Sequence, residues 1–456
     1  MKWTTAACVV LLLLAGVVAL PGRFVHREAH AAAAFTPDDG GRVSEPAGWR
    51  QLQWNFVGRY GVDAPHAWGN LIAAGAAGGA GVTVAVLDTG VAYPDPGASR
   101  PGSPDLSRSR FVPGYDFVDD DAFPYDQNGH GTHVASTIAE QTDNGYGLTG
   151  LAYGVKIMPV RVLDRAGAGD AITIARGLRF AVDHGAKVIN LSLNFDGSVN
   201  AGQIRGLLAA LAYAHRRGSL IVAGAGNAGS NRSVAYPAFG PHVLAVGATT
   251  DDGCLAYYSN HGAGLDLVAP GGGSDANFPD DPACRAGRHG RLVYQITLAG
   301  PYLNRFDITG YMGTSMAAPQ VSAIAALVVA SGVIGDDPGP SAIEARIKQT
   351  ARDLGRRGYD SRYGWGLVDA AAATSRGAAR RPTPSAVGAA ASGAAGRVAF
   401  VRASIDARNP HGVLVRLTLG AAVVLFGWML LAQPLTRLVT QVTRTPTRPR
   451  QASRRQ

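Results

Sequence analysis

Between residues 81 and 372 the chain alternates short β-branched runs with longer segments whose apolar residues recur at helical spacing. The β-branched runs predict strands at residues 82–87, 156–162, 187–193, 220–225 and 243–248. The apolar spacing at residues 172–184 and 203–216 predicts helices. Strands that alternate with helices of this length are typical of a mainly parallel sheet with helices on both faces. We therefore expect an α/β fold.

The N-terminal region is typical of an export signal. Lys2 precedes an apolar run at residues 6–20, which is too short to span a bilayer, and the alanines at 31–34 offer small-residue cleavage sites. We therefore predict a signal peptide at residues 1–34, with an uncleaved membrane anchor as the alternative. An N-terminal extension follows at residues 35–75, and the main domain is predicted at residues 76–373.

The C-terminal region is typical of a membrane tether. Residues 374–412 have little apolar area to bury, which indicates a flexible linker. Residues 413–435 are almost entirely apolar and predict a transmembrane helix, with a helix packed on the main domain as the alternative. Residues 436–456 contain six arginines and no acid, which suits a cytoplasmic tail. We expect a single-pass protein of the cell membrane whose main domain is extracytoplasmic.

The charge distribution argues against nucleic acid as a partner. The formal net charge is +9, but the residues from Arg376 onward contain 13 arginines and one acid, Asp406. That region carries +12, so the preceding part of the chain carries −3. The basic character belongs to the linker and tail, and a folded domain that binds nucleic acid would need a basic surface of its own.

Cysteine usage agrees with export. Cys8 lies within the predicted signal peptide, which leaves Cys254 and Cys284 as a pair. An even number of cysteines suits the oxidising environment outside the cytoplasm, so we expect a disulfide bond between them. Two free buried thiols are the alternative.

Three short segments supply the residue types that nucleophilic catalysis requires. Asp88 follows an apolar strand, and His130 lies between glycines at the start of a helix. Ser315 begins a helix predicted at residues 316–330, with Pro319 in its first turn. A neighbouring imidazole activates a serine hydroxyl, and a buried carboxylate holds that imidazole in one tautomer. Strand ends and helix starts meet at one edge of an open sheet, so we expect the three side chains together.

In the order Asp, His, Ser, these segments resemble the catalytic blocks of the subtilase family, and the resemblance extends over residues 54–372. It implies a subtilisin-like fold with Asp88, His130 and Ser315 as the catalytic triad. A fourth block, residues 222–229, implies that Asn227 donates its side-chain amide to the oxyanion. The expected function is a serine endopeptidase that hydrolyses extracytoplasmic proteins without a cofactor for catalysis. A catalytically silent surface-binding module on the same fold is the alternative.

The resemblance also implies how a peptide or protein substrate binds, namely as an extra strand between two strand edges. The first edge is Gly167, Ala168 and Gly169, the second is Ser192, Leu193 and Asn194, and the pocket wall is Gly224, Ala225, Gly226 and Ala235. Asn194 stands where glycine is common in the family. The loop at residues 270–313 is longer than in compact family members.

A structural calcium ion is a further implication of the resemblance. Its side-chain ligands would be Asp105 and Asn144, with the carbonyl oxygens of Tyr146 and Leu148 nearby. Two ordinary turn residues are the alternative. His133, three residues after the triad histidine, lacks the intervening glutamate of the metalloprotease pattern, and we interpret it as structural.

Overall fold

The computed structural model describes residues 32–42, 47–93, 100–285, 287–300, 303–377 and 402–404. The α-helices within these residues are α1 (Trp54–Val57), α2 (Ala64–Ala73), α3 (His130–Ala139), α4 (Ala171–Asp183), α5 (Arg205–Arg216), α6 (Thr314–Ala330), α7 (Pro340–Thr350) and α8 (Ala370–Thr374). The strands are β1 (Thr83–Asp88), β2 (Tyr115–Asp116), β3 (Lys156–Arg161), β4 (Ala168–Asp170), β5 (Val188–Leu191), β6 (Asn194–Phe195), β7 (Leu220–Gly224), β8 (Val243–Thr249), β9 (Leu267–Pro270), β10 (Val293–Ala299), β11 (Arg305–Tyr311) and β12 (Arg402–Ser404). Short 3-10 helices lie at Gly48–Gln51, Ala77–Gly79 and Arg108–Arg110.

A seven-stranded sheet forms the centre of the fold, in the order β2-β3-β1-β5-β7-β8-β9. Each neighbouring pair in this sheet is parallel. The five predicted strands correspond to β1, β3, β5, β7 and β8, and the two predicted helices to α4 and α5, with ends that differ by at most two residues. The predicted α/β fold with a mainly parallel sheet is therefore confirmed.

Both faces of the sheet are covered, which explains why most positions in its strands are apolar. Along β1, Val84 and Val86 belong to one apolar cluster, which includes much of α6, while Ala85 and Leu87 belong to another, with residues of α4 and α5. Successive side chains of a strand point to opposite faces, so a strand covered on both sides buries nearly all of its side chains and is mostly apolar.

Helix α6 runs through the core and begins earlier than the sequence predicted. It starts at Thr314, so Pro319 lies inside the helix and not in its first turn. A proline has no N–H to offer the carbonyl four residues before it, which here is that of Ser315. The hydroxyl of Ser192 supplies the hydrogen bond instead, with its Oγ 2.9 Å from the Ser315 carbonyl oxygen.

The long loop predicted at residues 270–313 contains an antiparallel hairpin of β10 and β11. This hairpin packs on α3, where the hydroxyl of Ser136 donates to the carbonyl of Ile296 at 2.9 Å. The loop also contains Cys284, which forms a disulfide bond with Cys254, as predicted. The hairpin is thus held against the helix that begins at His130, and the disulfide bond joins the preceding part of the loop to the segment after β8.

The N-terminal extension packs on the main domain through an aromatic cluster. The ring of Trp68 makes edge contacts with Phe35, Trp49, Phe56 and Tyr153, at centroid distances between 5.6 and 6.5 Å. Burial of several large rings is a strong source of packing energy, so residues 35–42 and 47–75 belong to the folded body.

Several predicted segments fall outside the described residues. They are residues 1–31 of the predicted signal peptide, residues 378–401 and 405–412 of the predicted linker, the predicted membrane helix at 413–435 and the tail at 436–456. In the part of the chain that the structure describes, no helix is both long enough and apolar enough to span a bilayer. Residues 402–404, within the predicted linker, form strand β12.

Candidate active site

Asp88 and His130 form a buried pair at the carboxyl edge of the sheet. Asp88 is the last residue of β1, and His130 is the first residue of α3. The Oδ1 atom of Asp88 lies 2.7 Å from Nδ1 of His130, and their side chains are 0% and 1% exposed. The backbone N–H of Thr89 donates to the same carboxylate oxygen at 2.8 Å. The strand end and the helix start thus bring together two of the predicted residues.

The buried carboxylate of Asp126 fixes the turn that precedes His130. It accepts hydrogen bonds from the Thr89 hydroxyl at 2.9 Å, from the Gly129 N–H at 2.9 Å, and from both the N–H and the hydroxyl of Thr132 at 2.9 and 2.6 Å. Burial raises the pKa of Asp126, while these donors lower it. Asp126 was not among the residues predicted from the sequence, although an aspartate shortly before a helix start is a capping signal.

Glycine at position 131 allows α3 to approach the strand that carries Asp88. A Cβ atom at Gly131 would lie 2.1 Å from the carbonyl oxygen of Gly90 and 3.1 Å from Cβ of Asp88. The N–H of Gly131 also donates to the Thr89 hydroxyl at 2.9 Å. A side chain at this position would push the imidazole away from its carboxylate.

Ser315 lies in the first turn of α6, and its hydroxyl is hydrogen-bonded to the short segment between β5 and β6. Its Oγ donates to the carbonyl oxygen of Ser192 at 3.1 Å. Among the described residues, Nε2 of His130 has no hydrogen-bond partner. The pair of Asp88 and His130 is therefore formed, whereas the hydrogen bond expected between His130 and Ser315 is not present in this arrangement.

Asn227 lies beside the backbone that leads into Ser315. Its Oδ1 accepts hydrogen bonds from the N–H and the hydroxyl of Thr314, both at 2.9 Å. The position that a Cβ atom at Gly313 would occupy is 3.5 Å from Nδ2 of Asn227 and 3.6 Å from the backbone nitrogen of Ser315. Nδ2 of Asn227 and the backbone nitrogen of Ser315 therefore lie near the same point beside Gly313.

The two predicted substrate edges lie on either side of one strand. Ala168 and Gly169 belong to β4, and Asn194 belongs to β6, while Gly167, Ser192 and Leu193 directly precede these strands. Strand β12 lies between β4 and β6 and is antiparallel to both. The structure thus places the predicted edges where a third strand can pair with both.

The residues predicted to line the pocket lie together next to the start of α6. The N–H of Ala235 donates to the carbonyl of Ala225 at 2.8 Å. A Cβ atom at Gly226 would lie 3.1 Å from Cβ of Ala235, and one at Gly224 would lie 2.9 Å from Oγ1 of Thr314. The small residues at these positions therefore allow the predicted pocket wall to lie close to the turn that carries Ser315.

His133 has the contacts of a structural residue, in agreement with our interpretation. Its Nε2 lies 3.1 and 3.2 Å from the carbonyl oxygens of Val293 and Thr309, and its ring stacks on Tyr311 at a centroid distance of 4.5 Å. Burial lowers the pKa of His133 to about 3, and the neighbouring His130 contributes to the decrease. A neutral imidazole that donates to these carbonyls ties α3 to the β10–β11 hairpin.

The pair predicted to bind calcium does not fit a cation in this arrangement. Asp105 and Asn144 are adjacent, but Asn144 presents its Nδ2, 2.8 Å from Oδ1 of Asp105, and its Oδ1 accepts from the N–H of Tyr146. A side-chain amide binds calcium through oxygen. Within the described residues, no group of three or more His, Cys, Asp and Glu side chains is arranged to hold a metal ion. Burial, opposed by the Asn144 hydrogen bond, raises the pKa of Asp105 to about 7.

Comparison with known proteins agrees with the predicted family and with the fold. The sequence profile described as the subtilase family matches residues 79–366. Thermophilic serine proteinase of Bacillus sp. (strain AK1) is 39% identical over 288 residues, which cover 63% of this chain and 60% of that protein. Thermitase of Thermoactinomyces vulgaris is 35% identical over 297 residues, which cover 65% of this chain and 88% of thermitase. The chain thus spans less than two thirds of the first relative and most of the second.

A solved structure of a protease from Pseudoalteromonas arctica PAMC 21717 has a TM-score of 0.59 and 30% sequence identity to this chain. The match covers 74% of this chain and 98% of that one. The solved structure of a lanthipeptide protease has a TM-score of 0.52 and 27% identity, and covers 64% of this chain and 86% of that one.

Proposed function

Because the chain belongs to the subtilase family of subtilisin-like serine proteases, we propose that it is a serine endopeptidase whose nucleophile is Ser315. The observation that carries the proposal is the buried pair of Asp88 and His130, with 2.7 Å between Oδ1 and Nδ1. A carboxylate in this position keeps the Nδ1 proton of the imidazole directed at itself, which leaves Nε2 as the base. Water is the second reactant, and the reaction requires no cofactor.

In the proposed reaction the Ser315 hydroxyl turns from the Ser192 carbonyl to Nε2 of His130, transfers its proton and attacks the scissile carbonyl carbon. The resulting oxyanion accepts hydrogen bonds from the Asn227 amide and the Ser315 N–H. His130 then protonates the leaving amine as the C–N bond breaks, which leaves an ester on Ser315. Water, deprotonated by His130, hydrolyses this ester and restores the serine.

We propose that the substrate is an extended segment of a peptide or protein. The backbone groups of β4 and β6 provide two strand edges for such a segment, and this mode of binding depends little on side-chain identity. The small, uncharged residues at 224–226 and at Ala235 favour an apolar side chain before the scissile bond. Asn194, whose Nδ2 donates to the carbonyl of Phe195 at 3.0 Å, adds a polar side chain at this edge.

We also propose that the enzyme is tethered to the membrane and that its catalytic domain acts outside the cytoplasm. Two features of the sequence support this proposal. One is the apolar N-terminal run at residues 6–20, and the other is the apolar segment at 413–435 with its arginine-rich tail. The full-length protein should remain with membranes in high salt and alkaline carbonate, which remove proteins held by charge alone. Protein that washes off under these conditions would contradict a membrane span.

Truncation and protease shaving separate the tether from its orientation. Truncation after Gly396 should release soluble, active enzyme, whereas loss of folding would assign the apolar segment to the core. During shaving of intact cells, a tag near residue 390 should be lost, and a tag after Gln456 should be kept. The reverse pattern would contradict the extracytoplasmic placement.

The alternative is a surface-binding module that keeps the fold without turnover. A fluorophosphonate probe separates the two, because it reacts with a serine only where a base activates the hydroxyl. We expect the probe to label Ser315, and Ser315→Ala to abolish labelling and lower turnover by several orders of magnitude. Ser331→Ala, at the other end of α6, is the matched control and should label normally. Absence of label from folded protein that binds peptides would favour the silent module.

A further inference from the structure

The groove between the two predicted substrate edges is filled by the chain's own residues 402–404. Strand β12 is the middle strand of a three-stranded sheet in the order β4-β12-β6. The paired residues are Arg402 with Asp170, Ala403 with Gly169 and Phe195, and Ser404 with Ala168 and Asn194. A segment bound in this way uses the same backbone groups that a peptide substrate would use.

Strand β12 runs in the N-to-C direction expected of a bound peptide substrate. Because β12 is antiparallel to β6, it runs from Arg402 to Ser404 as the facing segment runs from Phe195 back toward Ser192. The carbonyl of Ser192 accepts a hydrogen bond from the Ser315 hydroxyl at 3.1 Å. The C-terminal end of β12 therefore points toward the nucleophile, as the residues before a scissile bond must.

The segment that joins α8 to β12 is long enough for β12 to reach the groove of its own molecule. Helix α8 ends at Thr374, and 25 peptide units separate Gly377 from Arg402. At about 3.3 Å per residue, this length spans up to roughly 80 Å, more than the radius of a domain of this size. A tethered segment has an effective concentration of about millimolar, so that even a short strand can compete with a free peptide.

We propose that Arg402–Ser404 is an intramolecular, substrate-like strand that occupies the cleft and competes with peptide substrates. This inference rests on the proposed endopeptidase function, because it assigns a regulatory occupant to that same cleft. Competition of this kind raises KM and leaves kcat unchanged, since the catalytic groups are intact once the strand has left. The effect is independent of enzyme concentration, because the competitor belongs to the same chain.

The test is a pair of proline substitutions in the full-length protein. Successive N–H groups of a middle strand point to opposite neighbours, so Ala403→Pro with Ser404→Pro removes one donor toward each of β4 and β6. Ala389→Pro with Ala390→Pro makes the same chemical change outside β12 and serves as the control. With a chromogenic tetrapeptide anilide, the strand variant should have a KM at least about threefold below wild type. Its kcat should match wild type, and the control should match wild type in both constants.

Hydrogen exchange provides a second readout that does not require turnover. In a Ser315→Ala background, where self-cleavage is excluded, the strand variant should exchange the amides of residues 168–170 and 194–195 faster than the control. An unchanged KM with measurable turnover, or unchanged exchange at these amides, would overturn the inference. If neither wild type nor variant hydrolyses peptides and no probe labels Ser315, the proposed function fails, and the exchange result alone decides whether β12 occupies the groove.

Discussion

Pro319 and Ser192 form a coupled pair whose energetics can be measured. The proline sits inside α6 and has no N–H for the carbonyl of Ser315, four residues before it. The Ser192 hydroxyl donates to that carbonyl at 2.9 Å and accepts from Nδ2 of Asn190 at 2.9 Å. Ser192→Ala should therefore leave a buried carbonyl and a buried amide without these partners.

The expected cost follows from these two contacts. A buried acceptor that loses its partner costs about 1–3 kcal/mol, and the second hydrogen bond contributes about 1 kcal/mol more. Ser192→Ala alone should thus lower the free energy of unfolding by about 2–4 kcal/mol. With Pro319→Ala present, residue 319 has an N–H that can donate to the Ser315 carbonyl. The cost of leaving that carbonyl without a partner then disappears. The coupling energy of the double-mutant cycle should be about 1–3 kcal/mol.

The assay is urea unfolding of the four proteins of the cycle, followed by tryptophan fluorescence. All four carry Ser315→Ala to prevent self-digestion, which leaves the Ser315 backbone carbonyl in place. Ser219→Ala is the matched control, because its buried hydroxyl donates to the carbonyl of Ala186 at 2.7 Å, away from α6. This control should be destabilising by about 1 kcal/mol and additive with Pro319→Ala.

Additivity would refute this reasoning. If Ser192→Ala costs the same with proline or alanine at position 319, within about 0.5 kcal/mol, the serine hydroxyl does not replace the missing N–H. A coupling as large for Ser219→Ala would show that Pro319→Ala perturbs the whole core and not this hydrogen bond.

Four further results are expected. Asn227→Ala should lower kcat by roughly 10²–10³, the range for loss of an oxyanion donor in subtilisin, with little change in KM; an equal loss of peptide affinity would indicate a binding role. Replacing Cys254 and Cys284 by serine should lower the free energy of unfolding by about 3–4 kcal/mol, given their sequence separation of 30, and reductant should then have no further effect. Because burial raises the pKa of Asp105 from 3.8 to about 7, the folded chain holds a proton that the unfolded chain has released. Stability should therefore fall as pH rises from about 4 to 7, and Asp105→Asn should flatten this fall; an unchanged slope would contradict the assignment. Since Asn144 directs its nitrogen at Asp105, EDTA should leave the unfolding midpoint unchanged, and a calcium-dependent rise that Asp105→Asn removes would show that the pair rearranges to bind the ion.

The sheet and the positions of the candidate catalytic residues could be predicted from local patterns, and the physical reason is burial. A strand covered on both faces is mostly apolar, and its carboxyl end is where a polar residue such as Asp88 becomes tolerable. A helix start requires small or capping residues, which is how His130 and Ser315 become recognisable. Each of these signals lies within about ten residues of sequence.

The connections between these segments could not be predicted in the same way. The Asp126 carboxylate accepts hydrogen bonds from five donors, and Ser192 is linked to Ser315 by two hydrogen bonds across more than a hundred residues. The start of α6 at Thr314 shows the same limit, because only the structure reveals that Ser192 satisfies the carbonyl that Pro319 leaves without a donor. Such pairings depend on how distant segments meet in space, and no local periodicity records them.

Strand β12 had no sequence signal because its binding mode requires none. Pairing with β4 and β6 uses backbone groups that every residue except proline possesses, so Arg402, Ala403 and Ser404 need no special side chains. Its position along the chain, and not its composition, allows this segment to occupy the groove. A segment tethered near the cleft is present at about millimolar effective concentration. The same reasoning applies to substrates, because a cleft that binds backbone accepts many sequences. In a protease of this kind, a strand of the same chain can therefore limit access of substrates to the cleft without a dedicated inhibitor domain.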